Sequence, residues 1–417
     1  LDTWKGAGVL FFDWRFILPV IGFCFLVFVF SERQGAKASF VKLASIFLFI
    51  VILNFSYTFT NSTLNSGLSL SSFYQTITRF VIDDLSPSKR ETISYRHPET
   101  PQNNIILVID ESVRGDHLGV NGYRRETTPF LTSLANSQDY FHNLGLAVAG
   151  ATCSYPSNAL LLTGVRPGLD EYGRIVTYPT LFQYAKAMGY ETYYMDAQTN
   201  SFWNGLTDHD LSSIDSWFKA KDFGSDIESD FRAADMIARI AREGPGNFIV
   251  LNKRGVHFLY ETNYPPEAAI WLPLPGDYAS HPELVSNPYD NAIRYNVNTF
   301  FERLLSDSKI LRNTTVLYTA DHGQTLFENQ VSWLHCNYTS QEAMVPLILI
   351  GENLAAVNES YPASHSNILP TLLDLMKVPP EQRMHTYAPS LFSGIESLTP
   401  DRFFFDGSLR LVDFPDP

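Results

Sequence analysis

From residue 103 onward, short continuous apolar runs alternate with stretches of helical pattern, and this alternation restricts the possible folds more than any other feature of the chain. The runs are NNIILVID (103–110), YETYYMD (190–196), NFIVLN (247–252), TTVLYTA (314–320) and VPLILIG (345–351). Between them lie TPFLTSLANS, PTLFQYAKAMG, DFRAADMIARIAR and NPYDNAIRYNVNTFFERLL, and NILPTLLDLMK follows the last. A strand that is apolar at every position has no face to offer water, so it belongs in a sheet covered on both sides. The pattern therefore predicts an α/β domain: a largely parallel sheet with helices on both faces.

A chain of 417 residues is too long for one small core. The N-terminal part differs in kind from the rest. FILPVIGFCFLVFVF (16–30) and FVKLASIFLFIVILNF (40–55) are almost wholly apolar, each near the lower length limit for crossing a bilayer. We read residues 1–55 as a transmembrane region with spans at about 14–30 and 40–55. Arg33, Lys37 and Lys42 in and after the intervening loop face only Glu32, which makes that loop cytoplasmic and sends everything after Phe55 to the opposite side. Residues 56–100 are polar and Ser/Thr-rich, a juxtamembrane helix and linker, and 101–417 form the main domain. The chain begins with Leu1 instead of Met, so whether further spans stand upstream is left open.

The net charge of -14 offers no basic surplus for phosphate neutralisation, which excludes nucleic acid as the expected partner. Three cysteines cannot make a disulfide framework. Cys24 lies in the first span, and a Cys153–Cys336 bridge stays open because spacing cannot show it.

In open α/β sheets ligands gather at the carboxyl ends of strands. Here those ends carry metal-ligand residue types: Glu111 after the first run, His257 after the third, Asp321 and His322 after the fourth, and His335 beyond them. Carboxylates and imidazoles converging from separate strands suit zinc, which takes mixed oxygen and nitrogen ligands. Asp321 and His322 directly after an apolar strand would otherwise be buried without partners. His97, His142, His209, His281 and His385 lie in polar stretches and read as surface residues, and His117 and His365 as packing or supporting histidines.

GATCSYPSNALLLTG (150–164) sets Thr152, Cys153 and Ser154 beside the start of a helix, with Pro156 in its first turn. A hydroxyl there would gain from free backbone N–H groups and from a nearby cation. Ser154 could equally be a helix cap.

ESVRGDHLGVNGYRRETTPFL, LFQYAKAMGYETYYMD, GVHFLYETNYP, NPYDNAIRY, DHGQTLFENQVSWLH and SHSNILPTLLDL occur in an order that resembles the alkaline phosphatase and sulfatase superfamily. Within it, the chain looks most like the bacterial phosphoethanolamine transferases that modify lipopolysaccharide. The resemblance implies an alkaline phosphatase/sulfatase-like sheet behind the N-terminal transmembrane helices, in an enzyme of the bacterial inner membrane whose catalytic domain, 101–417, is periplasmic. It implies one or two zinc ions on Glu111, Asp321 and His322, with His257 and His335 binding a second metal or the substrate phosphate. The nucleophile falls on Ser154 by the spacing to Pro156 and to Thr163-Gly164, or on Thr152 by residue type, and the spacing favours Ser154. The implied reaction moves phosphoethanolamine from a phospholipid donor, phosphatidylethanolamine, to lipid A or a glycan acceptor through a covalent phospho-enzyme. A phosphoglycerol transferase would share most of this site. A sulfatase would need an arginine where Asn158 stands, and an inactive lipid-binding regulator would be expected to have lost its metal ligands.

Overall fold

A computed structural model describes residues 90–415, apart from positions 98, 171, 201–204, 225, 329–333, 353, 355–356 and 394–399. The two apolar runs read as membrane spans and most of the stretch read as juxtamembrane helix and linker lie outside the described residues. Among the described residues, no helix is long and apolar enough to cross a membrane. The last part of the linker stretch belongs to the folded domain. Arg90 is buried, forks onto Asp210 at 2.6 and 2.9 Å, and donates to the carbonyls of Ile175 and Tyr178.

The sheet has seven strands: β1 (Asn104–Asp110), β2 (Phe141–Val148), β3 (Glu191–Asp196), β4 (Ser216–Phe218), β5 (Asn247–Asn252), β6 (Thr314–Ala320) and β7 (Met344–Ile350). Their spatial order is β2-β7-β6-β1-β5-β3-β4. A two-stranded ribbon, β8 (Phe403–Phe405) with β9 (Leu411–Asp413), stands apart from it. The helices are α1 (Pro129–Ser137), α2 (Ser154–Thr163), α3 (Leu181–Ala187), α4 (Ser229–Glu243), α5 (Ser286–Ile293), α6 (Thr299–Leu304), α7 (Ser340–Ala343) and α8 (Ile368–Leu375). A π-helical turn, Arg294–Asn298, joins α5 to α6.

The five apolar runs are all strands, and β1, β5 and β6 are buried at every position. The central pairings β6-β1-β5-β3-β4 are parallel, as expected. The far side is not: β7 runs antiparallel to β6, and β2 antiparallel to β7. Continuous apolarity reports burial, not direction, and the chain reaches β7 through α7 from the edge it left at the end of β6. β2 and β4 escape a reading by apolar runs. β2 (FHNLGLAV) is half-exposed and irregular in register between Asn143 and Leu146, and β4 has only three residues.

Local chemistry sets the helix ends. Thr180 and Gln183 form a reciprocal capping box at α3. α2 ends at Gly164, whose φ of 69° is the left-handed stop that glycine adopts without penalty. Along α4, Phe231, Ala234, Ile237 and Ile240 recur on one buried face. Because β3, β5, β1 and β6 are parallel, their carboxyl ends, and hence Asp196, Asn252, Asp110 and Ala320, lie along one edge of the sheet.

Candidate metal and nucleophile site

β1 delivers Glu111 to that edge and β6 delivers Asp321 and His322. Ser112 follows Glu111 in the left-handed region, φ 60°, which is unusual for a residue with a side chain. This backbone turns the Ser112 N–H onto Asp321 Oδ1 at 3.1 Å, while its hydroxyl donates to Glu111 Oε1 at 2.6 Å. Asp321 Oδ1 also accepts the His322 N–H at 2.7 Å. Its other oxygen, Oδ2, is buried with no hydrogen-bond partner and lies 3.5 Å from His322 Nε2. A buried carboxylate oxygen without a donor is costly unless a cation meets it.

α2 brings the hydroxyl. Cys153 is its extended N-cap residue, so Ser154 occupies the first helical position and its side chain does not cap the helix. Ser154 Oγ lies 3.0 Å from His322 Nε2 and 3.3 Å from Glu111 Oε2. His322 Nδ1 is 2.7 Å from the Gly323 carbonyl, which can only accept, so that nitrogen carries the proton and Nε2 presents a lone pair. His335 closes the group, its ring 4.3 Å from that of His322 between centroids and its Nδ1 3.1 Å from Gln324 Oε1. Glu111, His322 and His335 each offer a ligand atom, and these atoms all lie within 4.8 Å of one another.

Burial shifts the titrations. It holds His322 below its ordinary range and His335 down at about 3, so both imidazoles are neutral, as ligands must be. Burial and the charge of Glu111 push Asp321 well above the usual carboxylate range. At Glu111 burial is outweighed by the charge that His322, His257 and His335 carry when protonated and by the Ser112 hydroxyl, and the carboxyl stays low. Glu111 and Asp321 among neutral imidazoles form a donor set in which a divalent cation would take the place of the proton that burial favours on Asp321.

The other sequence candidates stand apart. Thr152 is buried, with its hydroxyl 2.9 Å from the Asn337 carbonyl and its backbone bonded to Phe405 and Cys336. His257 is exposed, its ring 6.1 Å from His335 between centroids and its Nδ1 2.6 Å from the Phe258 carbonyl. His117 bonds Asp290 at 2.6 Å and stacks on Tyr123. His365 lies under α2, between Gly150 N–H at 3.1 Å and Thr319 Oγ at 3.2 Å.

Gln198 had no sequence signal, and the Cys153–Cys336 pairing was left open by spacing. Gln198, beyond β3, donates to Glu111 Oε2 at 3.0 Å and to the Lys253 carbonyl at 2.7 Å, bracing the carboxylate. Cys153 and Cys336 form a disulfide, so the residue before Ser154 is bonded to the residue after His335 across 183 positions. Glycine is required twice by close approach: a Cβ at Gly255 (φ 59°) would meet Asp110 Oδ1 at 2.4 Å, and one at Gly323 would meet the Gln341 carbonyl at 2.3 Å.

The parallel-centred sheet with this oxygen–nitrogen cluster at its edge places the chain in a defined class: residues 103–378 match the Sulfatase family, and the chain belongs to it. Its relatives include Kdo(2)-lipid A phosphoethanolamine 7''-transferase of Escherichia coli K12, 26% identical over 271 residues, covering 63% of this chain and 45% of the relative. Phosphoethanolamine transferase CptA of Salmonella typhimurium LT2 is 28% identical over 251 residues, covering 56% and 41%. The chain thus spans less than half the length of these relatives. Among solved structures, the C-terminal periplasmic domain of EcEptC from Escherichia coli superposes with a TM-score of 0.64 at 19% identity, over 78% of this chain and 96% of that one. The integral membrane lipooligosaccharide phosphoethanolamine transferase A of Neisseria meningitidis gives 0.57 at 17% identity, over 83% and 70%. Both superpositions show the fold.

Proposed function

We propose that the chain is a zinc-dependent phosphoethanolamine transferase of the bacterial inner membrane, working on the periplasmic side, with Ser154 as its nucleophile. The observation that carries this reading is the Ser154 hydroxyl at the start of α2, 3.0 Å from His322 Nε2 and 3.3 Å from Glu111. The buried Thr152 hydroxyl donates to the Asn337 carbonyl at 2.9 Å, which supports Ser154 over Thr152 in the role. The relatives named as phosphoethanolamine transferases supply the group transferred, and the Kdo(2)-lipid A in one name supports a lipid A or glycan acceptor.

Glu111, Asp321, His322 and His335 would hold zinc, and the orphaned Asp321 Oδ2 is the feature that a cation satisfies. Zinc there would supply Lewis acidity and ease ionisation of a neighbouring hydroxyl. A solved relative, the EcEptC domain, is described in complex with Zn. Ser154 Oγ forms a bond to the phosphorus of phosphatidylethanolamine while the bond to the glycerol oxygen breaks, and diacylglycerol leaves with the proton that Ser154 gave up. An acceptor hydroxyl then forms a bond to the same phosphorus while the bond to Ser154 Oγ breaks, and its proton returns to Ser154 Oγ. The positive end of the α2 dipole would favour anionic oxygens beside Ser154. His257, on the exposed side of the cluster, faces incoming substrate, as a phosphate-binding residue or a ligand to a second ion.

Asn158 argues against sulfate ester hydrolysis, since its side chain bonds back to the Ser154 carbonyl at 3.0 Å. Release of diacylglycerol from phosphatidylethanolamine by the full chain in detergent tests the reading. We expect release that stops on chelation and returns with zinc. Preference for phosphatidylglycerol would make it a phosphoglycerol transferase, and cleavage of an aryl sulfate instead would make it a sulfatase. Zinc-loaded protein that cleaves none of these would favour a lipid-binding regulator.

A further inference from the structure

We infer that Arg254 reads an oxyanion on the acceptor, a phosphate or a sugar carboxylate beside the hydroxyl that is modified. The inference rests on the transferase reading and extends it to the acceptor's chemistry. A cavity of about 350 Å³ opens beside the metal and nucleophile cluster, lined by Glu111, Gln198, Arg254, His257, Phe258 and Asn263.

The segment that carries Arg254 into this cavity is held firmly. The residue before it, Lys253, is fully buried and bonds Asp110 at 2.5 Å, with Asp230 3.9 Å away. The residue after it, Gly255, is pressed so closely on Asp110 and Glu111 that only glycine fits. Asp230 of α4 accepts the backbone N–H groups of Arg254 at 2.8 Å and Gly255 at 3.0 Å. The guanidinium itself is half-buried and makes no hydrogen bond or ion pair with any described residue.

The surrounding carboxylates are occupied. Asp230 is taken by the two backbone groups, and Asp226 by Arg232. Glu111 is engaged by Ser112, Gln198 and Ser154. A guanidinium is always charged, and its fork matches a carboxylate or phosphate. The donor offers it less: its one phosphate is bonded to Ser154 in the phospho-enzyme, beside the metal cluster, and its remaining charge is an ammonium, which a guanidinium repels. The acceptor is the component left to bring an anion into this cavity.

The test uses the full chain in detergent, comparing wild type with Arg254→Ala and Arg254→Lys. Three acceptors of similar size are offered after phosphatidylethanolamine: a glycosyl phosphate, a glycoside of a sugar acid, and a neutral methyl glycoside. We expect Arg254→Ala to lower the preference for an anionic over the neutral acceptor by roughly tenfold, chiefly through KM, with partial recovery in Arg254→Lys. Which anionic probe suffers more identifies the source of the oxyanion. Calorimetric binding of the same two anionic probes, which needs no turnover, should weaken by a similar factor in Arg254→Ala. Unchanged preference and unchanged binding would overturn the proposal. So would a loss falling on phospho-enzyme formation, since that would set the guanidinium on the transferred phosphoryl group. Wild-type protein that binds the anionic probes through Arg254 but forms no phospho-enzyme would instead count against the transferase reading.

Discussion

Two hydroxyls two positions apart have opposite fates. Thr152 is stitched into the backbone between the 336–337 loop and β8, whereas Ser154 begins a helix and faces the cluster. Glu111, Asp321 and His322 were legible as candidate ligands because they follow directly on apolar strands. The choice between the hydroxyls rested on spacing to Pro156 and Gly164, and in the structure the helix starts at Ser154. Gln198 and Ser112 were not legible, because a side-chain amide after β3 or a left-handed serine has no pattern of its own. At this scale the orphaned Asp321 oxygen gives a prediction. Asp321→Asn keeps an Oδ1 acceptor for the Ser112 and His322 N–H groups and removes a carboxyl that burial and Glu111 make costly to ionise. Stripped of metal, this variant should be more stable than stripped wild type by about 1 kcal/mol, and added zinc should no longer raise its melting temperature. Calorimetry with and without chelator checks this, and a variant still stabilised by zinc would remove Asp321 from the ligand set.

Between elements, the Cys153–Cys336 disulfide ties the start of α2 to the loop carrying His335. Glu342 holds the same loop, accepting from Asn337 N–H at 2.7 Å and from Thr339 at 3.0 Å. The alternating apolar runs made the strands and helices of the central sheet readable. They could not show that β7 reverses, nor that a half-exposed β2 pairs with it, since both depend on long-range pairing. The bridge was likewise unreadable, because it joins loops that only the fold brings together. Replacing both cysteines by alanine should cost about 2–4 kcal/mol in denaturant unfolding. It should also weaken zinc binding beyond that loss, because nucleophile and ligand loops would separate. A double variant with wild-type zinc affinity would reduce the bridge to a purely stabilising element.

Across the whole domain, one source of acid sensitivity outside the cluster is His365, where β6, α2 and the Gly150 loop meet. Burial lowers this imidazole to about 3 from an ordinary 6.5, so the folded chain refuses a proton that the unfolded chain accepts. Between those values the unfolded state binds more protons, and stability falls as pH falls, by up to about 1.4 kcal/mol per pH unit from this group. His365→Gln should flatten that part of the slope between pH 6 and pH 4 in urea titrations, and an unchanged slope would assign it to other groups. The covalent chemistry at Ser154 is tested most directly by the intact mass of the full chain after incubation with zinc and phosphatidylethanolamine, for wild type, Ser154→Ala and Thr152→Ala. A phosphoethanolamine-sized adduct on wild type and Thr152→Ala, absent from Ser154→Ala, is the predicted result. An adduct that persists in Ser154→Ala and vanishes in Thr152→Ala would contradict it.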